Sequence, residues 1–259
     1  GACVVPLNVR LSVDELGFQL RDTEACILCF GAEFAPQASR LAEELGAGLS
    51  LIALDAPTSF AAATIDELIL ANPPRPDAEA GGDSLAAIYY TGGTTGLAKG
   101  AVLSHGNICA NMLQAKEWIR NSLREGEETV IAALPLYHIF SLTVNMMMGL
   151  NIGVQNILIA NPMNSKMLIK QMKRYPISGI TAVNTLFSSL LEHPSLREVD
   201  FSSWLFCIGG GASIQEEVAK KWEEITGVPI VEAYGLTDIN IRSFAWLGAE
   251  LMRCMEATQ

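Results

Sequence analysis

Tyr90-Thr91-Gly92-Gly93-Thr94-Thr95-Gly96-Leu97-Ala98-Lys99-Gly100 packs four glycines, three threonines and a lysine into eleven residues, directly after an apolar run over 85–89. Glycine lets a backbone turn sharply and come close to a ligand. Successive N–H groups in such a turn form an anion-binding nest, threonine hydroxyls add donors, and Lys99 adds a point charge. The stretch therefore reads as a phosphate-holding loop between two ordered segments. A Walker A loop requires G-x-x-x-x-G-K-[ST], but Lys99 stands three residues after Gly96 and is followed by Gly100. The dinucleotide fingerprint G-x-G-x-x-G fails as well.

The segments around the loop alternate in period. Apolar runs over 2–5, 25–30, 50–54, 85–89, 130–134, 156–159, 179–183, 205–208 and 230–233 read as strands, and helical apolar spacing appears over 35–45, 106–123, 166–174, 184–191 and 214–226. In the last of these, Ser213 and Glu216 predict a capping box, while Gly227 and Pro229 mark the stop. Continuous apolar strands alternating with helices predict an α/β protein with mostly parallel sheets and flanking helices. Residues 72–83, rich in proline, acids and glycine, predict a surface loop between a first α/β portion over 1–71 and a phosphate-loop portion over 84–238.

The bulk properties narrow the function. Half of the 259 residues are apolar and the net charge is −11, which excludes a nucleic-acid binder relying on a basic surface. The longest apolar candidate, 140–154, is interrupted by Ser141, Thr143, Asn145 and Asn151, so no membrane span is expected. No secretory leader pattern opens the chain, and Gly1 is not an initiator. The close pair Cys26 and Cys29 lies in an apolar run without a second pair at zinc spacing, and is expected to be two buried thiols in a reducing compartment. Met146, Met147 and Met148 are expected to fill core space.

Three further clusters follow strands. Gly209-Gly210-Gly211-Ala212 is a tight turn into a helix where backbone can approach a ligand. Tyr234-Gly235-Leu236-Thr237-Asp238 offers an aromatic face, a hydroxyl and a carboxylate, which suit a purine, a phosphate oxygen and a hard cation. Leu134-Pro135-Leu136-Tyr137-His138-Ile139-Phe140 contains the best-placed of the three histidines. His105, with Asn107, is expected to order a helix start, and His193 to close a surface helix. Taken singly, each cluster is equally well explained as a strand-end turn.

In this order, the clusters resemble the adenylate-forming superfamily, whose phosphate loop is close to [ST]-[SG]-G-[ST]-[ST]-G-x-P-K-G. The chain departs from it at Ala98, where proline is usual. Over 111–238 it is similar to bacterial long-chain fatty-acid–CoA ligases, through residues 133–140, 155–162, 184–187, 196–203 and 209–212, and 1–28 is similar to a segment shared by acyl-CoA synthetases. Amino-acid-activating members of the superfamily usually carry an aromatic–Asp pair near the position of His138 to hold the substrate ammonium; Ile139-Phe140-Ser141 has no such acid, so the resemblance implies a carboxylic acid lacking an amino group.

The resemblance implies an acyl-CoA-synthetase-like N-terminal domain, incomplete over 1–238, with 239–259 unassigned and a C-terminal lid domain missing, so that this chain alone has little activity. It implies catalytic roles for Lys99, His138 and Thr237. Nucleotide contacts fall to Thr91, Gly92, Gly93, Thr94, Thr95, Gly96, Gly210, Gly211, Ala212, Tyr234 and Gly235, and Mg²⁺ ligation to Asp238. ATP, CoA and a fatty acid are the implied partners, with an aryl or shorter acid, a phosphotransferase and a non-catalytic binder as alternatives. A cytoplasmic location is implied, with peripheral contact at the inner membrane face left open. Asp238 is one methylene shorter than the glutamate of the pattern; Asp238→Glu is expected to tighten Mg·ATP binding, and unchanged affinity by calorimetry would count against a metal role.

Overall fold

The structure is a computed structural model and describes residues 2–72, 79–92, 98–119, 123–233 and 235. It divides into two compact units, Gly1–Val102 and Leu103–Gln259.

In the first unit, α1 (Val13–Asp22) starts with a capping box, in which the Glu15 N–H donates to Ser12 Oγ (3.3 Å) and the Ser12 N–H donates to Glu15 Oε2 (2.8 Å). Next come β1 (Ile27–Phe30), α2 (Ala35–Leu45), β2 (Ser50–Ala53), β3 (Ala63–Thr64) and α3 (Ile65–Ala71), the last opened by a second capping box between Thr64 and Glu67. The sheet order is β1-β2-β3, all parallel. Leu16 and Leu20 of α1, Leu41 of α2, Leu28 and Phe30 of β1 and Leu51 of β2 form its core. A two-stranded sheet pairs β4 (Leu85–Thr91) with β5 (Lys99–Ser104).

Several expectations are corrected in this unit. The run over 2–5 is no strand; only Val4 bridges Ala87. Cys26 and Cys29 are exposed rather than buried. Side chains alternate along the pleat of β1, so Leu28 and Phe30 point into the core while Ile27 and Cys29 face outward. β3 and β5 were not anticipated, because two residues are too few for a period and β5 opens on Lys99 and Gly100.

The second unit begins with α4 (His105–Ile119). Its start is ordered by Ser104 rather than His105: the Asn107 N–H donates to Ser104 Oγ (3.1 Å) and the Ser104 N–H to Asn107 Oδ1 (3.0 Å). Then follow β6 (Thr129–Ala132) and one helical rod made of α5 (Ile139–Ser141), a π-helical segment (Leu142–Met148) and α6 (Gly149–Ile152). After these come β7 (Gln155–Leu158), α7 (Ser165–Arg174), β8 (Gly179–Ala182), α8 (Asn184–Leu191), β9 (Phe206–Gly210), α9 (Glu216–Thr226) and β10 (Ile230–Ala233). The five strands are parallel in the order β10-β9-β8-β6-β7.

The pleat separates two cores. Ile131, Ile180 and Cys207 face α7, α8 and α9 through Leu168, Phe187 and Trp222. Their neighbours Val130, Phe206 and Ile208 face α4 and the rod through Ala115, Val144, Met148 and Ile152. The rings of Phe187 and Trp222 meet edge to face, with centroids 4.9 Å apart, and the Trp222 indole N–H donates to Cys207 Sγ. Met148 fills core space as expected, whereas Met146 is exposed. His193 caps a short 3₁₀ helix, Pro194–Glu198, by accepting from the Ser195 N–H.

The expected Ser213–Glu216 capping box is absent. The N-cap of α9 is Gln215, which makes no side-chain cap bond. Ile214 is instead buried beneath Gly209, where a Cβ would lie 2.7 Å from its side chain, and this drives the turn downward and starts the helix later. Gly227 does end α9 in the left-handed region, at φ 72°. Close strand approach is tightest at Gly179, where a Cβ would lie 2.6 Å from the Phe206 ring and carbonyl. Gly179→Ala is expected to destabilise the fold by about 1–3 kcal/mol, read from the midpoint of urea unfolding.

Candidate active site

The strand order dictates where a ligand can bind in the second unit. The chain leaves β6 for its neighbour β7 on one side, then crosses to β8 on the other, and continues outward through β9 and β10. The direction of winding thus reverses between β6 and β8. Connections leave in opposite directions there, which opens a crevice beyond the carboxyl ends of those strands. The turn bearing His138 follows β6, Val183 and Asn184 follow β8, Gly211 and Ala212 follow β9, and the 234–238 segment follows β10.

The His138 turn is held by local hydrogen bonds. The His138 N–H donates to the Pro135 carbonyl (2.9 Å), and the Leu142 N–H to the His138 carbonyl (2.9 Å). His138 also caps α5, its Nδ1 accepting from the Phe140 N–H at 3.3 Å. An accepting Nδ1 carries no proton, so the ring is neutral with its proton on Nε2. The residue is exposed by surface area, yet protein packed about the ring disfavours the imidazolium and lowers its pKa below the ordinary histidine value. The cap geometry agrees with that direction.

Phe140 brings this turn to the glycine turn. A Cβ on Gly210 would lie 3.0 Å from the Phe140 ring and 3.2 Å from the Ala233 carbonyl. Gly210 pairs with Ala233 in register, so the strand that leads into Tyr234 and Gly235 runs beside it. Gly211 takes φ 81°, the left-handed region that favours glycine. Gly211, Ala212 and Gly235 are exposed. The Gln215 N–H donates to Asn184 Oδ1 (2.9 Å), which ties the glycine turn to the start of α8. Thus His138, Gly210, Gly211, Ala212 and Gly235 belong to one sheet edge.

The ends of the Gly/Thr loop belong to the first unit. Thr91 Oγ1 donates to the Lys99 carbonyl at 3.5 Å, closing the loop at its base. Tyr90 donates its phenolic proton to Asp22 and packs edge-on against Phe18, which anchors β4 to α1. Burial, and then Asp22, push the Tyr90 pKa up, so it remains a donor. Gly92 and Lys99 are exposed. Gly93, Thr94, Thr95, Gly96, Tyr234, Thr237 and Asp238 lie outside the described residues. Among the described residues no group of three or more His, Cys, Asp or Glu side chains could hold a metal ion.

A set of buried polar residues was not anticipated as part of the site. Ser141, Thr143, Asn145 and Thr181 are all almost completely buried. The signal was present in the sequence, where three of them interrupt the apolar run over 140–154.

Comparison with known proteins places this architecture. The model of the family described as AMP-binding enzyme matches residues 1–255, continuing past Asp238. The chain belongs to the AMP-binding enzyme family. It is 48% identical over 159 residues to a long-chain-fatty-acid–CoA ligase of Haemophilus influenzae, a match covering 60% of this chain and 28% of that protein. It is 30% identical over 241 residues to a feruloyl-CoA synthase of Amycolatopsis sp, covering 92% of this chain and 45% of that protein. Among solved structures, ATP-bound MatB from Rhodopseudomonas palustris superposes with a TM-score of 0.78 at 27% identity, over 94% of this chain and 47% of that one. The chain therefore spans less than half the length of these relatives. Its fold is that of the N-terminal domain of adenylate-forming enzymes.

The neutral His138 gives a pH test. Its folded-state pKa is depressed, so between that value and 6.5 the unfolded chain binds the extra proton. Its contribution to stability is intact above 6.5 and is lost as pH falls through the folded pKa. NMR titration of the imidazole is expected to give a midpoint below 6.5 in the folded protein.

Proposed function

We propose that this chain supplies the nucleotide- and acid-binding part of an AMP-forming ligase that activates a long-chain fatty acid and passes it to CoA. The observation that carries the reading is the meeting of the His138 turn and the Gly210–Ala212 turn at one carboxyl edge, with Phe140 against Gly210. Its position beside the β6/β8 reversal is where an open parallel sheet accepts a ligand. Membership of the AMP-binding family and the similarity to the Haemophilus ligase support the choice of reaction and acid. The ATP bound by the MatB relative supports the nucleotide.

A carboxylate is a poor electrophile, so the logic is activation. One carboxylate oxygen of the acid attacks the α-phosphorus of ATP, the bond to the bridging oxygen breaks, and pyrophosphate leaves. The thiol sulfur of CoA then attacks the acyl carbonyl, the acyl–oxygen bond to AMP breaks, and the thiol proton passes to solvent. Loop amides of Gly92, Gly93 and Gly96, with Thr91, Thr94, Thr95 and Lys99, stabilise charge on the leaving phosphates. His138 offers its Nε2–H to a carboxylate oxygen, which orients the acid without a base being required. The exposed backbone of Gly211, Ala212 and Gly235, with Gly210 buried just behind it, borders the nucleotide. Tyr234 stacks on adenine, and Thr237 donates to the α-phosphate. Asp238 would hold Mg²⁺, which would supply charge neutralisation at the phosphates. Peripheral contact with a membrane fits a long-chain acid as substrate.

A second reading, an aryl-acid ligase, is favoured by the feruloyl-CoA synthase match, which extends over 92% of the chain. Exchange of labelled pyrophosphate into ATP by the full-length protein separates them. Palmitate is expected to drive exchange and ferulate to drive little, and His138→Ala is expected to lower exchange by roughly tenfold to a hundredfold. Exchange with ferulate alone would select the second reading. Transfer of the γ-phosphate with release of ADP would overturn both.

A further inference from the structure

Asn145 occupies the middle of seven consecutive residues in π geometry, inside the rod that begins directly after His138. Such wide turns are uncommon and recur at functional sites. Its side chain is 2% exposed, and its Oδ1 accepts from Thr181 Oγ1 of β8 (2.7 Å) and Ser141 Oγ (3.1 Å). Ser141 Oγ also stands 3.0 Å from the Leu134 carbonyl, so its single proton serves either that carbonyl or Asn145 Oδ1, and the two ends of the His138 turn meet at Asn145. The Asn145 carbonyl accepts in turn from Asn156 Nδ2 of β7 (2.8 Å). One residue thereby joins the His138 turn to strands on both sides of β6.

The joint is one hydrogen bond short. Asn145 Nδ2 is buried and has no hydrogen-bond partner among the described residues. Rotating the amide by half a turn would give Nδ2 the two hydroxyls and leave Oδ1 unpaired instead. A leucine of similar size would remove that unpaired group but would leave the buried Thr181 hydroxyl without its acceptor, so the amide is held as a hydrogen-bonded joint and not as packing. Thr181 lies opposite Ala132 in register, one residue below the carboxyl edge where the two strands diverge.

We infer that Asn145 is the positioning residue of the acid site, holding the Leu134–Ser141 turn so that His138 meets the carboxylate. The inference rests on the reading of the site as one that activates an acid. Its physical basis is leverage: the turn is fixed by the Ser141 hydroxyl, the hydroxyl by Asn145, and Asn145 by β7 and β8. Truncating the amide leaves the apolar packing of Val144 and Met148 in place but frees the turn.

The test uses the full-length protein with Asn145→Leu, and with Thr181→Val as a milder variant that keeps side-chain shape and removes one donor to the amide. Asn145→Leu is expected to raise KM for the fatty acid roughly tenfold, the equivalent of about one hydrogen bond, while KM for ATP changes less than about twofold. The His138 titration midpoint is expected to move up toward 6.5 as the ring is released into water. Thr181→Val shifts both readouts the same way and by less, and decides the matter if Asn145→Leu does not fold. Parallel rises in both KM values, or an unmoved His138 midpoint, would overturn the inference. A shifted midpoint in a protein that activates no acid would support the positioning role and refute the reading of function on which the substrate rests.

Discussion

The parallel pairing of β6 with β8 is the contact on which the second unit depends. Ile131 faces Ile180 across it, and both side chains are completely buried. Each carries about 1.5–3 kcal/mol of burial free energy, and together they lie at the centre of the larger core. Because the chain visits β7 before returning to β8, this pairing requires two crossings in opposite directions. The reversal leaves the carboxyl ends of β6 and β8 without a connection bridging them. Stability and site share one origin: the pairing that buries the core also opens the crevice.

The same constraint explains why polar residues are buried beside it. The rod after His138 packs apolar side chains against the sheet through Val144, Met148 and Ile152. Ser141 and Asn145 fall on the same stretch yet face the turn and β8, where hydrogen bonds replace apolar contact. A buried polar group is tolerated when it is bonded and costly when it is not. The cluster is nearly satisfied, which suits a rigid joint more than a packing defect. In the first unit, by contrast, the base of the Gly/Thr loop carries, among the described residues, a side-chain bond from Thr91 to the Lys99 carbonyl, and β4 is anchored behind it by Tyr90 and Asp22.

Much of this was legible in the residues. Strands that became β6, β8 and β9 are buried on both faces, and their continuous apolar runs stand out. Helices α2 and α8 were read at their observed bounds, because their apolar period continues to both ends. Cys26 and Cys29 are exposed against expectation, because an apolar run reveals neither where its strand begins nor that one of the strand's faces is left uncovered. The cap of α9 was misjudged for a related reason. Ser213 has the right spacing to Glu216, but Ile214 is drawn under Gly209 by tertiary packing, and a local bond of about 1 kcal/mol does not compete with burial of that side chain. At the site, His138 and the glycines after β9 were recognisable as strand-end motifs. Asn145 was visible only as a polar interruption, since its partner Thr181 is 36 residues away.

The sequence by itself determined the alternation of strand and helix, the family to which the chain belongs and the chemistry its loops can offer. These depend on residue type and short spacing, which local physics reads directly. Only the tertiary structure decided the order of the strands, the place where winding reverses, and the burial of Asn145 between the His138 turn and β8. Those follow from which apolar faces find one another across long stretches of chain, and no local period records that choice.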